Sequence, residues 1–387
     1  MTRRLLSLLL PILASLALAV LPACNSGGGG GGGFMPIPGA GSGPGGPGDG
    51  SSAPGTQPGP GPGPGPAPAP AGPAFKVSGW LPDWSGTAGR TSLFTYSTGS
   101  LDEVNPCWYT LASDGSLRTH GGARDLLFVR ECHARGIEVL PMIDDFAING
   151  AGPVVRDATK ATRLRAAILD EVLRYELDGI DIDFEGMGQA SRDAFSQFMA
   201  DLAADLHARG KILSAALYSK TSEPGGFSGP QSHDYAALGR SVDRFKIMLY
   251  GHSGPVAPTS YIENAVTFAK TVVPASKIYV GVPFFGWNRK PDGSKTSLTQ
   301  SSAEALARTV GKTPTRHAAS GEATFTYVDS TGVTHTVFFQ DAEAIAVKCR
   351  TTKRLGVAGI AIWRLGGDKQ DIWDAIEAEL RQPATTP

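Results

Sequence analysis

Three carboxylates alternate with apolar residues in the eight-residue stretch DGIDIDFE, residues 178–185. Because successive side chains of a β-strand point to opposite faces, Asp181, Asp183 and Glu185 are predicted to share one face. The apolar residues between them are predicted to pack on helices, and they are Ile180, Ile182 and Phe184. Like charges held this close raise the pKa of at least one carboxyl. A carboxyl with a pKa near 7 can act as a general acid, so the stretch predicts a catalytic site.

The same residues would also be compatible with a solvent-exposed strand or a structural cation site. An exposed strand would not carry two isoleucines and a phenylalanine between helix-rich flanks. A calcium site would spread its ligands over a loop that usually contains Asn and Gly. The catalytic interpretation is therefore favoured. Asp178 lies out of phase with the other three acids and is predicted to be structural.

Eight apolar, strand-like runs follow one another along the chain, and most are separated by stretches with helical periodicity. The runs are FKVSGWL (75–81), EVNPCWYTL (103–111), GIEVLPMI (136–143), LDGIDIDF (177–184), KILSAALY (211–218), RFKIMLY (244–250), KIYVGVPFFGW (277–287) and VAGIAIW (357–363). Helices are predicted near 121–135 and 158–176, and from about Ser191, a candidate N-cap, to Arg209. Strand–helix alternation of this length predicts an α/β fold, a (β/α)8 TIM barrel.

Residues 288–340 break the alternation. They contain the helix-like SSAEALARTVG and two β-rich runs, ATFTYVD and THTVFFQ, joined by the turn STG. We expect a small α+β insertion after the seventh strand, before the helix DAEAIAVKCRTTKRLG. Insertions on that side of a barrel shape the substrate cleft.

Residues 1–24 have the pattern of an export signal. Arg3 and Arg4 precede a long apolar run, and small Ala23 precedes Cys24. The ending LPAC resembles a bacterial lipobox, which implies lipidation of Cys24 and a membrane-anchored lipoprotein facing the periplasm or cell surface. An ordinary cleaved signal, or an uncleaved membrane helix, remains an alternative because the run approaches the ~20 residues of a span.

Residues 25–73 consist almost entirely of Gly, Pro, Ser and Ala. Such a segment has no apolar surface whose burial would offset the entropy of ordering it, so a disordered tether is predicted. Its Pro-rich second half is predicted to be a polyproline II spacer of ~3 Å per residue. The tether would hold a folded domain, residues 74–382, away from a membrane.

The formal net charge is −1, and no basic block follows the signal, so nucleic acid is not an expected partner. Cys107, Cys132 and Cys349 are too few and too scattered for a disulfide framework, and no CxxC or Cys/His cluster indicates a metal. One disulfide remains an alternative to buried thiols. We expect no cofactor and a monomer.

The acidic stretch resembles the DxxDxDxE signature of the family 18 glycoside hydrolases, the chitinases and related N-acetylglucosaminidases, at all four acidic positions. Further stretches agree in order along residues 75–380. IMLYG (247–251) resembles the sixth-strand M-x-Y-D and keeps Met248 and Tyr250, with Gly251 where Asp is usual. VGVPFFGW and GIAIWRLGG resemble the seventh-strand and eighth-strand runs. The GWLPDW start, the late insertion and the WRLGG ending resemble most closely the bacterial spore-cortex-lytic, cell-wall members.

This resemblance implies hydrolysis of β-1,4 bonds in N-acetylglucosamine-containing polymers by substrate-assisted, retaining catalysis. Glu185 would protonate the glycosidic oxygen and later activate water, while the substrate's own acetamido group attacks the anomeric carbon. Asp183 would orient that acetamido group, and Asp181 would support Asp183 from behind. Tyr250 would donate a hydrogen bond to the acetamido oxygen. The Gly251 departure removes one expected contact at the pocket floor.

The remaining site predictions concern residues near the expected carboxyl ends of strands. Trp363 is the predicted stacking surface under the reacting sugar. Asp145 is predicted to bind a sugar hydroxyl or to cap a helix. His233 and His252 are predicted to lie at the surface. Weaker substrate contacts, each with core packing as an alternative, are Met248, Trp80, Trp84, Trp108, Tyr218 and Trp287.

Two other functions stay open at this point: a carbohydrate-binding protein that has lost activity, and a surface scaffold. The presence of Glu185, Asp183 and Tyr250 favours the enzyme. Chitin, peptidoglycan and protein N-glycans all offer an N-acetylglucosamine unit, so the polymer remains open, as does endo or exo action.

Overall fold

The computed structural model describes residues 75–146 and 150–382. The predicted export signal 1–24 with Cys24, and the predicted tether 25–73, lie outside the described residues. Within the part that is described, no helix combines the length and apolar character needed to cross a membrane.

Eight parallel strands form a closed barrel, as predicted. Each strand pairs with its neighbours in chain order, and β8 pairs with β1, which closes the ring. The third strand, β3, consists of two pieces separated by Leu140 and Pro141. The strands are β1 Lys76–Leu81, β2 Glu103–Leu111, β3 Glu138–Val139 with Met142–Asp144, β4 Gly179–Asp183, β5 Ile212–Tyr218, β6 Arg244–Met248, β7 Ile278–Pro283 and β8 Gly359–Trp363.

Helices follow the strands, so the (β/α)8 prediction is confirmed. A short strand, Leu117–Thr119, adds to the edge of β2, and single turns of 3₁₀ or π-helix occur at several connections. The helices are α1 Gly86–Thr91, α2 Leu126–His133, α3 Gly152–Val155, α4 Ala158–Arg174, α5 Arg192–His207, α6 Ser228–Gln231, α7 Tyr235–Ser241, α8 Thr259–Ala269, α9 Gln300–Thr309, α10 Ala342–Leu355 and α11 Gln370–Arg381.

The predicted start of α2 was wrong, whereas α5 begins directly after Ser191, as predicted. The α2 helix begins later than predicted because the Asp125 carboxylate accepts the first free backbone N–H groups. Ser191 precedes α5, but its side chain makes no capping bond. Its hydroxyl accepts a hydrogen bond from Arg156 instead, and a short 3₁₀ turn leads into the helix.

The insertion is larger than predicted. Its sheet is antiparallel and has five strands, in the order Lys295–Leu298, Gly286–Arg289, Thr334–Phe339, Ala323–Val328 and Thr315–Arg316. Helix α9 covers the sheet around a small apolar core that includes Ala303 and Phe325. The insertion therefore begins near Gly286, and Trp287 belongs to its sheet rather than to β7.

Strand β4 shows the predicted alternation of faces. Ile180 and Ile182 are fully buried on the helix side, and the ring of Phe184 lies 6.1 Å from that of Phe195 on α5. Asp181 and Asp183 are also buried, in the barrel interior. The apolar face thus fixes the strand, and the acidic face follows from it.

Gly179 starts β4 at a position without room for a side chain. A Cβ atom built there would lie 2.0 Å from the carbonyl oxygen of Ile212 in β5. The hydrogen-bonded register between the two strands therefore depends on glycine at this position.

We expect Gly179→Ala to lower the free energy of unfolding by about 1–3 kcal/mol or more, because the new methyl group must displace backbone. The control is Gly188→Ala, where a Cβ atom meets nothing within 4 Å and the backbone φ of −101° suits alanine. Urea denaturation measures both variants, and equal effects at the two positions would contradict the steric argument.

Candidate active site

The acids of β4 lie in a line that runs from the barrel interior towards its carboxyl end. Asp181 is fully buried, Asp183 is 4 % exposed, and Glu185, two residues beyond the strand, is half-buried. Active sites of such barrels lie at this end. The acids are therefore in increasingly solvated surroundings from the first to the last.

Asp181 is held by two donors. The Trp80 indole Nε1 donates to its Oδ2 at 2.8 Å, and the Lys246 ammonium donates to its Oδ1 at 3.1 Å. Trp80 is only 1 % exposed. The indole is enclosed in the barrel interior beside Cys107 and Met142 and binds a buried carboxylate, so the predicted sugar contact for Trp80 is wrong.

Asp183 lacks a comparable partner. Its Oδ1 atom is buried and has no hydrogen-bond partner among the described residues. Burial, followed by the nearby charges of Glu185 and Asp181, raises the pKa of Asp183 well above its ordinary value. These surroundings favour the protonated form of the Asp183 carboxyl.

Glu185 is the acid nearest to solvent. Burial raises its pKa, a hydrogen bond from the Tyr218 side chain opposes the rise, and the charges of Asp145 and Asp144 add to it. Burial and the same Glu185 carboxylate raise the pKa of the Tyr218 hydroxyl. Tyr218, predicted only as a weak substrate contact, thus lies beside the candidate proton donor.

Asp145 holds the backbone at the point where the chain leaves β4. Its Oδ1 accepts the N–H of Glu185 at 3.1 Å, and its Oδ2 accepts those of Gly186 at 3.2 Å and Ala151 at 2.8 Å. The side chain is 1 % exposed. Neither predicted role, a sugar ligand or a helix cap, describes this geometry; Asp145 positions the main chain of Glu185.

Tyr250 lies just beyond β6, next to the acids of β4. Burial, followed by the charges of Asp183 and Glu185, raises the pKa of its hydroxyl well above the ordinary value. Its ring meets that of Phe285 edge-on at 5.9 Å. Tyr250 therefore stays a neutral donor facing the acids.

Two further positions predicted from the sixth-strand motif lie close to Tyr250. Met248 ends β6 and is half-buried. Gly251 is exposed, its φ is +87°, and a Cβ atom there would meet nothing within 4 Å. The left-handed backbone favours glycine at this position, which gives a conformational reason for the departure from the family pattern.

The other tryptophans differ in exposure. Trp363 ends β8, is half-buried, and has its ring 6.0 Å from that of Trp80. Trp84 follows β1 and is 63 % exposed. These two positions remain compatible with sugar stacking at the carboxyl end of the barrel.

Trp108 and Trp287 are buried elsewhere. Trp108 alternates with Cys107 in β2, so it faces outwards and packs on Phe128 of α2, with ring centroids 5.8 Å apart. Trp287 is 8 % exposed in the insertion sheet, and the Lys295 ammonium lies 4.2 Å from its ring centroid. The predicted sugar contact of Trp108 is wrong because strand parity turns its ring away from the barrel interior.

Sequence reasoning missed a polar cluster inside the barrel, which we call the interior cluster: Glu103, Asn105, Asp181 and Lys246. The Lys246 ammonium donates to Glu103 Oε1 at 2.7 Å and to Asn105 Oδ1 at 2.8 Å, besides Asp181. Burial lowers the pKa of Lys246 to about 8. The signal was present as polar residues at alternate positions of two strand runs, Glu103 with Asn105 and Arg244 with Lys246.

His233 is fully buried, so its predicted surface position is wrong. Its Nδ1 accepts the N–H of Tyr218 at 3.3 Å, and its Nε2–H donates to the carbonyl of Phe184 at 3.1 Å. Burial lowers its pKa to about 4, so the ring is neutral and joins β5 to the end of β4. His252 is exposed, as predicted.

Asp178 lies at the opposite end of β4 from the candidate site. Its Oδ2 accepts the N–H of Val139 at 2.7 Å and pairs with His133 Nε2 at 2.8 Å. These bonds tie β4 to β3 and to α2, which agrees with a structural role. Residues at this end of a barrel usually contribute to stability rather than to chemistry.

The three cysteines of the described residues are not joined by disulfides. Cys107, Cys132 and Cys349 are buried free thiols, which supports the buried-thiol alternative over a disulfide between them. Over residues 75–146 and 150–382, no group of three or more His, Cys, Asp or Glu side chains is arranged to hold a metal ion.

We expect His233→Gln to flatten the acid-side dependence of stability on pH. Because the folded pKa is about 4, below the ordinary 6.5, the unfolded chain binds a proton that the folded protein does not. The contribution of His233 is complete above pH 6.5 and declines towards pH 4, with a slope approaching about 1.4 kcal/mol per pH unit. Urea unfolding across this range measures it. Exposed His252→Gln is the control, and identical slopes in wild type and His233→Gln would refute the assignment.

Comparison with known proteins shows the family of the chain. Residues 129–368 match the family described as Glycosyl hydrolases family 18. The chain is 24 % identical over 309 residues to a glycosylase, YvbX, of Bacillus subtilis, which covers 75 % of this chain and 90 % of that protein. It is 30 % identical over 234 residues to a cortical fragment-lytic enzyme of Bacillus anthracis, covering 57 % of this chain and 54 % of the enzyme. The chain thus spans about half the length of that enzyme.

A solved structure shows the same architecture. A chitinase from Chromobacterium violaceum superposes with a TM-score of 0.73 and 26 % identity, over 80 % of this chain and all of that one. The matched region contains β4 with Glu185 just beyond it, and β6 with Tyr250 just beyond it. This chain belongs to family 18 of the glycosyl hydrolases and is a glycosidase.

Proposed function

We propose that the chain hydrolyses β-1,4 bonds of an N-acetylglucosamine-containing polymer by substrate-assisted, retaining catalysis. The observation that carries the proposal is the pair Asp183 and Glu185, whose pKa values are both raised at the carboxyl end of the barrel. A raised carboxyl pKa is the requirement for an acid that donates its proton near neutral pH. The family is an exception to the scheme in which a second carboxylate is the nucleophile.

In the first step, Glu185 gives its proton to the glycosidic oxygen as the bond between that oxygen and the anomeric carbon breaks. The carbonyl oxygen of the substrate's 2-acetamido group attacks the same carbon from the opposite face and forms an oxazolinium ion. In the second step, the Glu185 carboxylate takes a proton from water. The water oxygen bonds to the anomeric carbon as the bond from that carbon to the acetamido oxygen breaks. The oxazolinium ring thereby opens, and the original configuration at the anomeric carbon is restored.

Asp183 and Tyr250 position the acetamido group in this proposal. Asp183 would accept the acetamido N–H on its Oδ1 oxygen, which has no partner among the described residues, and this bond would orient the carbonyl oxygen towards the anomeric carbon. The Tyr250 hydroxyl, kept neutral by its surroundings, would donate to the acetamido oxygen. Both groups lie close enough to Glu185 for its charge to raise their pKa values.

Sugar rings would stack on the tryptophans that remain accessible. Trp363 lies at the end of β8 and would support the reacting sugar, while exposed Trp84 would contact a sugar further along the polymer. Similarity to a chitinase and to a cortical fragment-lytic enzyme supports two candidate polymers, chitin and, as we propose, peptidoglycan. Mass spectrometry of the products from purified chitin and purified peptidoglycan distinguishes these substrates and shows whether cleavage is internal or terminal.

Glu185→Gln is expected to lower kcat about 10²–10⁴-fold, because the amide keeps the shape of the side chain but cannot donate the proton. Turnover of a chromogenic chitobioside and release of fragments from peptidoglycan measure the effect. Glu377→Gln, an exposed change on α11, is the control. If wild type and Glu185→Gln bind the polymers equally and neither cleaves them, the chain is a carbohydrate-binding protein and the proposal fails.

We further propose that the protein is exported and anchored through lipid on Cys24, facing the periplasm or cell surface. The order LPAC after an apolar run supports this, and the Gly/Pro-rich residues 25–73 would supply the reach to a wall polymer. A polymeric substrate outside the cytoplasm agrees with such a location.

Cys24→Ser is expected to move the protein from the membrane fraction to the soluble exported fraction and to abolish incorporation of labelled fatty acid. Fractionation of cells that express the full chain measures this, with Ser26→Ala as control. Retention of Cys24→Ser in the membrane would indicate an uncleaved helix, and export of the unmodified wild type would indicate an ordinary cleaved signal; either result contradicts the anchor.

A further inference from the structure

Lys246 is a fully buried cation directly beneath the candidate catalytic acids. Its ammonium has three protons and makes three hydrogen bonds, to Glu103, Asn105 and Asp181, at 2.7, 2.8 and 3.1 Å. Charges in a barrel interior are costly unless they are paired and hydrogen-bonded. Every donor of Lys246 is therefore committed within the interior cluster.

Both oxygens of Asp181 accept a hydrogen bond. Lys246 donates to Oδ1, and Trp80 donates to Oδ2. The next acid along the strand differs in this respect. Asp183 Oδ1 is buried and has no hydrogen-bond partner among the described residues. The two neighbouring carboxyls on this strand face thus differ in their hydrogen bonds, and Lys246 donates only to the deeper one, Asp181.

We propose that Lys246 is a positioning residue for the hydrolysis: it holds Asp181 as an anion bound to the barrel interior and so leaves Asp183 free to turn towards Glu185 and the substrate. This inference rests on the function proposed above and deepens it. Lys246 touches neither substrate nor reacting atoms; it acts through Asp181.

The physical reason is competition for one proton. Two adjacent carboxyls without a nearby cation share a proton, which would draw Asp183 down towards Asp181. Lys246 and Trp80 each donate to one oxygen of Asp181, so neither oxygen of Asp181 is free to share a proton with Asp183. Asp183 then enters the reaction already released from its neighbour.

Several other charged or titratable groups face Lys246 or Asp181. They compensate one another, since Arg244 pairs with Glu103 at the base of the cluster while Lys246 pairs with both anions. By element these other groups are Glu103 and Cys107 of β2, Asp183 of β4, Arg244 of β6, Tyr250 beyond β6, and Tyr279 of β7 beside Arg244.

Lys246→Met removes the charge and keeps the length of the side chain. We expect the acidic limb of the kcat/KM profile to move up by about one pH unit, because Asp181 loses its cation and is protonated more easily. At pH values below the wild-type acidic limb we expect kcat/KM to fall about tenfold, the factor that one unit of pKa represents, through kcat and with KM changed much less. Lys246→Arg, which keeps the charge, is expected to restore the acidic limb.

Lys348→Met is the matched control. Lys348 is also fully buried and is paired with an anion, Glu322, at 3.4 Å, but it lies on α10 away from the acids. We expect it to lower stability without moving the acidic limb. If Lys246→Met fails to fold, the double variant Lys246→Met with Glu103→Gln removes one charge of each sign and is measured instead. A wild-type acidic limb in whichever of these two folds overturns the proposal.

A second measurement does not depend on turnover. Carbon-13 NMR of aspartate carboxyls, assigned with Asp181→Asn, follows the ionisation of Asp181 in wild type and in the folded Lys246 variant. The proposal expects Asp181 to titrate at higher pH without the lysine, and an unchanged titration refutes it. If wild type cleaves no polymer, the proposed function fails, and this titration still decides the electrostatic role of Lys246.

Discussion

A closed parallel barrel excludes water from its interior, so any charge placed there must be compensated by the protein itself. Most barrels avoid the cost by filling that space with branched apolar side chains. Here Glu103, Lys246 and Asp181 occupy it as alternating charges, with Asn105 accepting one of the ammonium protons. The different surroundings of the acids on β4 follow from this interior cluster, because Asp181 is hydrogen-bonded within it and Asp183 Oδ1 is left without a partner among the described residues.

From that cluster outwards, solvation increases along one strand and produces three different carboxyls. Asp181 is bound by two donors, Asp183 has none on Oδ1, and Glu185 is half-buried at the strand's end. The backbone that carries Glu185 is held by Asp145, and the carbonyl just before it by His233. Neither of these supports is part of the acidic signature, yet both determine where Glu185, the proposed proton donor of this family 18 glycosidase, lies.

The architecture could be predicted because strand and helix periodicities are local. The alternation in β4, the eight strand runs and the insertion after the seventh all appear in the structure. Predictions about single side chains succeeded where parity alone decides, as for Asp178 against Asp181. They failed for Trp80, whose proximity to a strand end gave no sign that the indole donates to a carboxylate from another strand. They failed also for His233, since a polar residue in a loop can be buried when two strand ends supply its partners.

The sequence by itself determined the barrel, the order of the acids along one strand and the family, because each depends on spacing within short segments. Only the tertiary structure decided which of those acids has hydrogen-bond donors and which is left without a partner among the described residues. Lys246 is 65 residues from Asp181 in the chain and Glu103 is 143 from Lys246, so their pairing is set by barrel closure. Electrostatic interactions depend on distance and burial in space, and neither can be read from residue types along the chain.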